Sequence, residues 1–136
     1  MHSSRLVPYG TLLLRLGLGI MALAHAYLKL FILGPHEMIQ WFSSLGQPPA
    51  MFWLTVFGET AGGLALILGF LTRLAALAMT PILIGTIVLV HGHNGWLFDN
   101  KGGGWEFPAF WILALVVQAL LGAGAHSVDG RLFGRR

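Results

Sequence analysis

Three ionisable side chains interrupt the first apolar stretch of the sequence: Arg15, His25 and Lys29. The stretch, residues 9–33, is long enough to cross a bilayer, which takes about 20 mostly apolar residues. At about 100° per residue along a helix, Lys29 lies roughly 40° from both His25 and Arg15, so the three side chains share one stripe. Because charged groups are costly at membrane depth and usually serve a function there, we expect this stripe to face the protein interior and to form a site.

A carboxylate in the second apolar stretch is the natural partner of these cations. Glu59 lies within residues 51–71, in the run GETAGG, whose glycines let a neighbouring helix approach closely. At about 1.5 Å per residue, Glu59 and His25 lie at a similar depth below the same membrane face, with Lys29 one turn nearer to that face. A lone charge at this depth loses its solvation, whereas a carboxylate beside an ammonium or imidazole is stabilised. We therefore predict a catalytic centre made of His25, Lys29 and Glu59.

Four further residues fall at the same end of the apolar stretches: His91, Asn94, Trp105 and Glu106. We predict that they bind a ligand together with Arg15. His91 and His93 have the spacing of a weak metal motif but lack a soft ligand, so we interpret them as a solvated pair and predict no metal site.

Each assignment has a structural alternative. Arg15, Lys29 and Glu59 are also explained by a salt-bridge network that only holds helices together. Arg15 lies deeper than His25, and Gln118 in the last apolar stretch is an alternative partner for it. The sequence leaves these alternatives open.

The composition places the chain in a membrane. Of its 136 residues 56% are hydrophobic and 10% are charged, which leaves too little polar surface for a soluble domain of this size. Cysteine is absent, which excludes disulfides, thiolate metal sites, iron–sulfur clusters and covalently attached c-type haem. Redox chemistry therefore needs a bound cofactor, for which a quinone is the first candidate; haem held by His25 and His91, or a metal, is the weaker one. The net charge of +3 lies mostly at the chain ends, which indicates topology and not a nucleic-acid partner.

The apolar stretches predict an all-α protein, a single integral membrane domain of residues 1–136 built as a four-transmembrane-helix antiparallel bundle. The spans cover about residues 9–33, 51–71, 74–90 and 105–123. Between spans one and two, residues 36–45 predict a short amphipathic helix in the interface, with a connecting loop anchored by Trp41 as the alternative. Since Arg15 interrupts the first stretch, we interpret that stretch as a mature helix and not as a signal peptide.

Basic residues near the membrane predict the orientation. Four spans put both termini on one side, which carries the larger basic set: Arg5, Arg73, Arg131, Arg135 and Arg136. The other side has Lys101, and Lys29 lies near that end of the first span. Because cytoplasmic segments are enriched in Lys and Arg, we expect both termini in the cytoplasm and the chain in the inner (plasma) membrane.

Several motifs, in this order, resemble the DoxX family of small four-helix membrane proteins. They are Arg15 with Gly19, the run HAYLKL at residues 25–30, Gly58-Glu59 with Gly62-Gly63, the run LGFLTR at residues 68–73, the glycines before Trp105-Glu106, and Gly122-Ala123-Gly124 with Ser127-Val128-Asp129. Ala26 departs from the family, in which glycine is frequent at that position. The resemblance covers nearly the whole chain and implies the four-helix architecture and a membrane oxidoreductase component. It places the family's recurring polar residues at Arg15, His25, Lys29, Glu59, Arg73 and Glu106.

These residues are compatible with three functions. In the first, a membrane subunit of a redox system binds a quinone-like molecule in an outer pocket, where His25 and Glu59 transfer protons and Lys29 stabilises a developing oxyanion. In the second, the buried charges bind the substrate of a small solute or ion transporter or of a sensor. In the third, the chain is a non-catalytic scaffold for a partner enzyme. The expected partners are the lipid bilayer, a small-molecule ligand, a redox partner protein and a second copy of the chain.

Overall fold

The computed structural model describes residues 3–134, and the regular secondary structure in this range is helical. The helices are α1 (Ser3–Tyr27), α2 (Pro35–Ser44), α3 (Pro49–Leu68), α4 (Thr72–Thr86), α5 (Glu106–Leu121) and α6 (Val128–Phe133). A π-helical turn, Leu28–Ile32, extends α1, and a second one, Ile87–His91, extends α4 and leads into a 3₁₀ turn, Gly92–Asn94. Arg135 and Arg136, which contribute to the predicted orientation, lie outside the described residues.

Three helical segments within residues 3–134 are long and apolar enough to cross a membrane. They are Ser4–Ile32, Pro49–Leu68 and Thr72–Asn94. The fourth predicted span corresponds to α5, a shorter apolar helix of 16 residues that ends where Gly122 adopts a φ of 84°. The all-α class is therefore confirmed, and length and composition confirm three of the four predicted spans.

The outward faces of the helices are apolar. Leu13, Phe57 and Phe110 are 69–71% exposed, as expected for side chains that contact lipid and not water. Inside, α1 packs mainly against α3 and α4 packs mainly against α5, while α1 and α5 touch less extensively. A core of small and aliphatic residues around Leu66, Leu115 and Trp111 fills the centre.

Glycines bring α1 and α3 into close contact. A Cβ atom added to Gly19 would lie 2.9 Å from the carbonyl oxygen of Gly63, and one added to Gly63 would lie 3.0 Å from the carbonyl oxygen of Gly19. A Cβ atom at Gly19 would require its neighbours to shift, and one at Gly63 would be unusually close to them, so these small residues let the two helices approach each other. The predicted close approach of the first and second spans is present, and it rests on Gly63 together with Gly19.

The short helix α2 lies over the end of the bundle at which α3 begins. Its Met38 joins Phe52 and Val56 of α3 in a buried apolar cluster, and Leu30 from the end of α1 packs against them. We call this end of the bundle the α2 end, and the opposite end, where both described chain ends lie, the terminal end. The observed helix agrees with the interfacial helix predicted at residues 36–45.

Helix α1 begins earlier than predicted, and α6 was not predicted. Helix α1 begins at Ser3, before the apolar stretch, because hydrophobicity marks the membrane core and a helix can continue beyond it. Helix α6 is a short additional element whose first turn is capped by Ser127, since the Ser127 Oγ accepts a 2.9 Å hydrogen bond from the backbone N–H of Gly130.

Candidate functional site

A buried ion pair joins the first and third α-helices near the α2 end. Lys29 Nζ lies 2.7 Å from Glu59 Oε1, and the side chains are only 15% and 7% exposed, respectively. Lys29 comes from the π-helical turn that extends α1, and Glu59 lies one turn from the close contact of Gly63 with Gly19. The sequence predicted that Glu59 contacts Lys29 or His25, and its partner is Lys29. The attraction between the two charges is stronger here than in water, because the surroundings are apolar and few water molecules screen the pair.

Two buried polar atoms at this level of the bundle have no partner among the described residues. They are Glu59 Oε2, a hydrogen-bond acceptor, and the indole N–H of Trp111, a donor. Glu59 is 6% exposed and Trp111 is 4% exposed, so bulk water does not serve them fully. Buried polar groups are nearly always hydrogen-bonded, and an exception calls for a bound water, a ligand or a catalytic role.

His25 faces a different neighbour from Lys29. Its ring packs against the ring of Trp111 on α5, with 4.9 Å between the centroids, and no hydrogen bond joins it to Glu59 among the described residues. The change from α-helical to π-helical geometry falls between His25 and Lys29, so the rotation of 100° per residue used for the sequence does not hold across it. The predicted trio is thus split: Lys29 contacts α3, and His25 contacts α5.

A row of aromatic rings leads from His25 to the surface loop at the α2 end. From Trp111 it continues to Phe107, at 6.0 Å between centroids, then to Phe98 at 5.2 Å and to the ring of His91 at 6.0 Å. His91 therefore belongs to the surroundings of the candidate site through packing and not through a shared ligand sphere. The sequence did not single out Phe98 or Phe107, because an aromatic residue at a membrane interface is common.

An apolar groove runs between α1 and α5 beside this row. It encloses about 210 Å³, and its walls include Leu14 and Met21 from α1 and Phe107 and Trp111 from α5. The looser packing of α1 against α5 leaves this space, since both helices pack mainly against other partners. Trp111 lines this groove and also packs against His25.

Arg15, which was predicted to bind the ligand, lies at the opposite end of the bundle and contacts backbone carbonyl groups. It is fully buried at the terminal end, where Nη1 donates to the carbonyl oxygens of Leu66 and Ile67 at 3.0 and 2.9 Å. Nη2 donates to the carbonyl oxygens of Ala125 and His126 at 2.9 and 3.1 Å. Arg15 thus satisfies the last carbonyls of α3 and fastens the loop that follows α5, as a cation at a helix C-terminus does.

Gln118 does not bond Arg15, which answers the alternative left open by the sequence. The Gln118 side-chain amide donates to the carbonyl oxygen of Gly122 at 2.8 Å and to that of Thr11 at 3.5 Å.

Asp129 has a function that the sequence did not reveal. Its two carboxylate oxygens accept hydrogen bonds from the backbone N–H groups of Leu71 and Thr72, at 2.7 and 2.9 Å, and so cap the start of α4.

The remaining predicted ligand-binding residues organise the loop between α4 and α5. His91 Nδ1 lies 2.8 Å from the carbonyl oxygen of Gly103, which also accepts a 3.0 Å hydrogen bond from the Asn94 side chain. Trp105 packs edge-on against Trp96, with 4.4 Å between ring centroids. Glu106 is half-buried at the first turn of α5. None of the four bonds to Lys29 or Glu59 in the described part of the chain.

The chain has relatives among bacterial membrane proteins. It matches the family model described as DoxX over residues 10–92. It is 31% identical to "Putative oxidoreductase CatD" of Bacillus subtilis (strain 168), over 91% of this chain and 87% of that protein. It is 30% identical to "Inner membrane protein YphA" of Escherichia coli (strain K12), over 74% of this chain and 75% of that protein, and 32% identical to "Inner membrane protein YqjF" of the same organism, over 66% and 68%. No solved structure matches the chain significantly.

Proposed function

Because this chain belongs to the DoxX family, we propose that it is a multi-pass inner-membrane subunit of a redox system that binds a quinone-like molecule beside Lys29 and Glu59. One observation carries the proposal: a buried ion pair inside membrane-crossing helices leaves one carboxylate oxygen without a partner. One relative has the word oxidoreductase in its name, and two others are named as inner membrane proteins. These names support the redox class and the membrane.

The polar atoms of the site suit the two forms of such a ligand. A quinone offers carbonyl oxygens, for which the Lys29 ammonium and the Trp111 N–H are donors, whereas its reduced form offers hydroxyl groups, for which Glu59 Oε2 is an acceptor. A quinone supplies two-electron, two-proton chemistry when bound, and a redox partner protein exchanges the electrons. Within this chain, Glu59 exchanges a proton and Lys29 stabilises negative charge on the ligand oxygen.

His25 and the α1–α5 groove complete the proposed site. The His25 imidazole, which packs against the groove residue Trp111, provides a second proton-exchanging group. The apolar walls of the groove suit the hydrocarbon tail of a quinone, since burying each CH₂ group stabilises binding by about 0.8 kcal/mol.

We also propose that α5 is the fourth span, with both termini in the cytoplasm. Helix α5 is apolar and packs along α4, and a helix of its length reaches about 24 Å at 1.5 Å per residue. In this orientation the Lys29–Glu59 pair lies in the outer half of the bundle.

Quinone retention tests the proposed function. The full chain is purified from its own membranes in a mild detergent, and extracted quinones are quantified per mole of protein by liquid chromatography. We expect the wild-type chain to retain quinone and Glu59→Gln or His25→Ala to retain at least tenfold less.

Two matched variants serve as controls for this experiment. Glu37 and His93 are exposed, so Glu37→Gln and His93→Ala remove the same chemical groups away from the site and should retain the wild-type amount. Quinone-free wild-type protein, or equal quinone content in Glu59→Gln, would contradict the proposal. Transport of a solute in proteoliposomes that depends on Glu59 would favour the transporter instead.

A further inference from the structure

A second, larger cavity lies at the terminal end of the bundle. It has a volume of about 900 Å³ and is bounded by the first turns of α1, the start of α4, the loop after α5, and α6. Its walls contain neither Lys29 nor Glu59, so it is separate from the proposed quinone site. Its volume lies in the range of small-molecule sites, about 300–1,000 Å³.

The side chains around the cavity make it positive. Arg5 and Arg73 line it and are exposed, and no described acidic side chain forms an ion pair with either of them. Asp129 also lines the cavity, but its two oxygens are occupied by the backbone N–H groups at the start of α4. The two guanidinium groups are therefore available to an anion from outside the chain.

A buried hydroxyl at the cavity wall has no partner. Thr72 is 1% exposed, and its Oγ1 forms no hydrogen bond within the described part of the chain. Its backbone N–H donates to Asp129, whereas the hydroxyl of this lining residue has no partner in the described part of the chain. A buried hydroxyl without a partner is unfavourable unless a ligand or a water molecule satisfies it.

Two strained residues form part of the same wall. Leu71 and His126 have φ values of 48° and 52°, and they are the non-glycine residues with positive φ in residues 3–134. Asp129 holds the N–H of Leu71, and Arg15 holds the carbonyl of His126. Strained backbone of this kind persists where the surroundings fix it, which happens frequently at ligand sites.

The rim of the cavity is apolar on the side of the helices. Leu74 is 63% exposed, Leu121 is 43% exposed and Phe133 is 59% exposed, and all three line the cavity. A ligand that is anionic at one end and hydrocarbon at the other meets both parts of this surface. A free phosphate would use only the arginines.

We propose that the terminal cavity binds the phosphate headgroup of an anionic phospholipid, with Arg5, Arg73 and the Thr72 hydroxyl as donors and the apolar rim against its acyl chains. Arginine donates two parallel hydrogen bonds to phosphate, which a threonine hydroxyl can complement. The site depends on the chain lying in a membrane and not on the proposed redox function, so either proposal can fail alone.

Lipid titration of the purified full chain tests this proposal. Phosphatidylglycerol or phosphatidylcholine is added in detergent, and bound molecules are counted by native mass spectrometry. We expect one phosphatidylglycerol to bind at least tenfold more tightly than phosphatidylcholine. Arg5→Gln and Arg73→Gln should each weaken binding roughly fivefold, from the usual contribution of one basic side chain near an anionic surface. Arg73→Lys should retain most of the affinity.

Two further variants and one competition experiment complete the test. Lys101→Gln removes a positive charge from the loop at the α2 end and should leave phosphatidylglycerol affinity unchanged. Thr72→Val keeps the side-chain shape and should weaken binding several-fold. This variant also tests the site if an arginine variant does not fold.

Equal binding by wild type and the Arg5→Gln/Arg73→Gln double variant would overturn the proposal, as would equal affinity for the two lipids. Competition by glycerol 3-phosphate at the same concentration would assign the cavity to a soluble phosphate and overturn the lipid assignment.

Discussion

One oxygen of the Glu59 carboxylate accepts a hydrogen bond from Lys29, while the other has no partner in the described chain. In water both oxygens of a carboxylate accept hydrogen bonds from water molecules. The difference between the two oxygens of Glu59 arises because the side chain is buried in the bundle. The pair is most stable when both charges are present, because removing one leaves the other in a medium that solvates it poorly. The same free oxygen makes Glu59 able to accept a proton or a hydrogen bond from a ligand.

Removal of Lys29 should destabilise the protein more than neutralisation of Glu59. We expect Lys29→Met to lower the free energy of unfolding by about 3 kcal/mol, because the Glu59 charge loses its partner. Glu59→Gln keeps an oxygen that accepts from Lys29 but leaves the ammonium without its counter-charge, and because Lys29 is the more exposed partner the cost should be about 2 kcal/mol. Unfolding in detergent, followed by circular dichroism, measures both changes.

The double variant separates an ion-pair effect from a packing effect. Lys29→Met/Glu59→Met replaces both charges by apolar side chains and should recover to within about 1 kcal/mol of wild type. Lys101 is exposed, so Lys101→Met should change stability by less than about 0.5 kcal/mol. If the double variant is as unstable as Lys29→Met, the ion pair is not the source of the loss.

At the scale of helices, the two candidate sites depend on how α1 is held against its neighbours. At the terminal end, Arg15 joins α1 to the last carbonyls of α3 and to the loop after α5. At the α2 end, the π-helical turn of α1 presents Lys29 to α3. Irregular turns of this kind occur frequently at functional sites, because they change the direction of side chains that a regular helix would fix.

The glycine contact between α1 and α3 can be tested by adding single methyl groups. In Gly19→Ala the new Cβ would meet the Gly63 carbonyl oxygen at 2.9 Å and Ile67 Cγ1 at 2.7 Å, so the helices must move apart. We expect Gly19→Ala and Gly63→Ala each to cost about 1–3 kcal/mol, as overpacking does. Thermal unfolding in detergent measures this cost.

Gly10 provides the matched control for this experiment. A Cβ there would have no neighbouring atom within 4 Å, so Gly10→Ala should not destabilise the chain. Equal stability of Gly10→Ala and Gly19→Ala would show that α1 and α3 are not closely packed at this point.

At the scale of the whole molecule, the polar groups are divided between two ends of an apolar bundle. The Lys29–Glu59 pair and the α1–α5 groove form one candidate site, and the positive cavity with Arg5 and Arg73 forms the other. Residues between them belong to the apolar core around Leu66 and Leu115. If the chain crosses the membrane four times, these sites lie toward opposite faces.

The proposed topology can be tested with single cysteines, because the chain has none of its own. Asn100→Cys lies in the exposed loop between α4 and α5, and Leu132→Cys lies in α6 at the terminal end. We expect a membrane-impermeant maleimide to label Asn100→Cys in spheroplasts with intact membranes and Leu132→Cys only after permeabilisation. The reverse pattern would place the termini outside, and labelling of both cysteines in intact spheroplasts would contradict four spans.

The sequence by itself determined the class of the protein and the types of residue in its candidate site. Hydrophobic length, glycines and prolines act locally along the chain, so the apolar helices, the short helix α2 and the presence of a cation opposite Glu59 were all predictable. Glu59 needed a cation from the first apolar stretch, because a lone carboxylate is unstable at membrane depth.

Only the tertiary structure decided which groups meet. Partner choice depends on the rotation and spacing of packed helices, and the π-helical turn after Tyr27 turns Lys29 toward Glu59 while His25 faces Trp111. The four carbonyl partners of Arg15 come from residues 51 to 111 positions away, so no local pattern could reveal them. The positive cavity likewise exists only because α1, α4 and α6 come together at the terminal end.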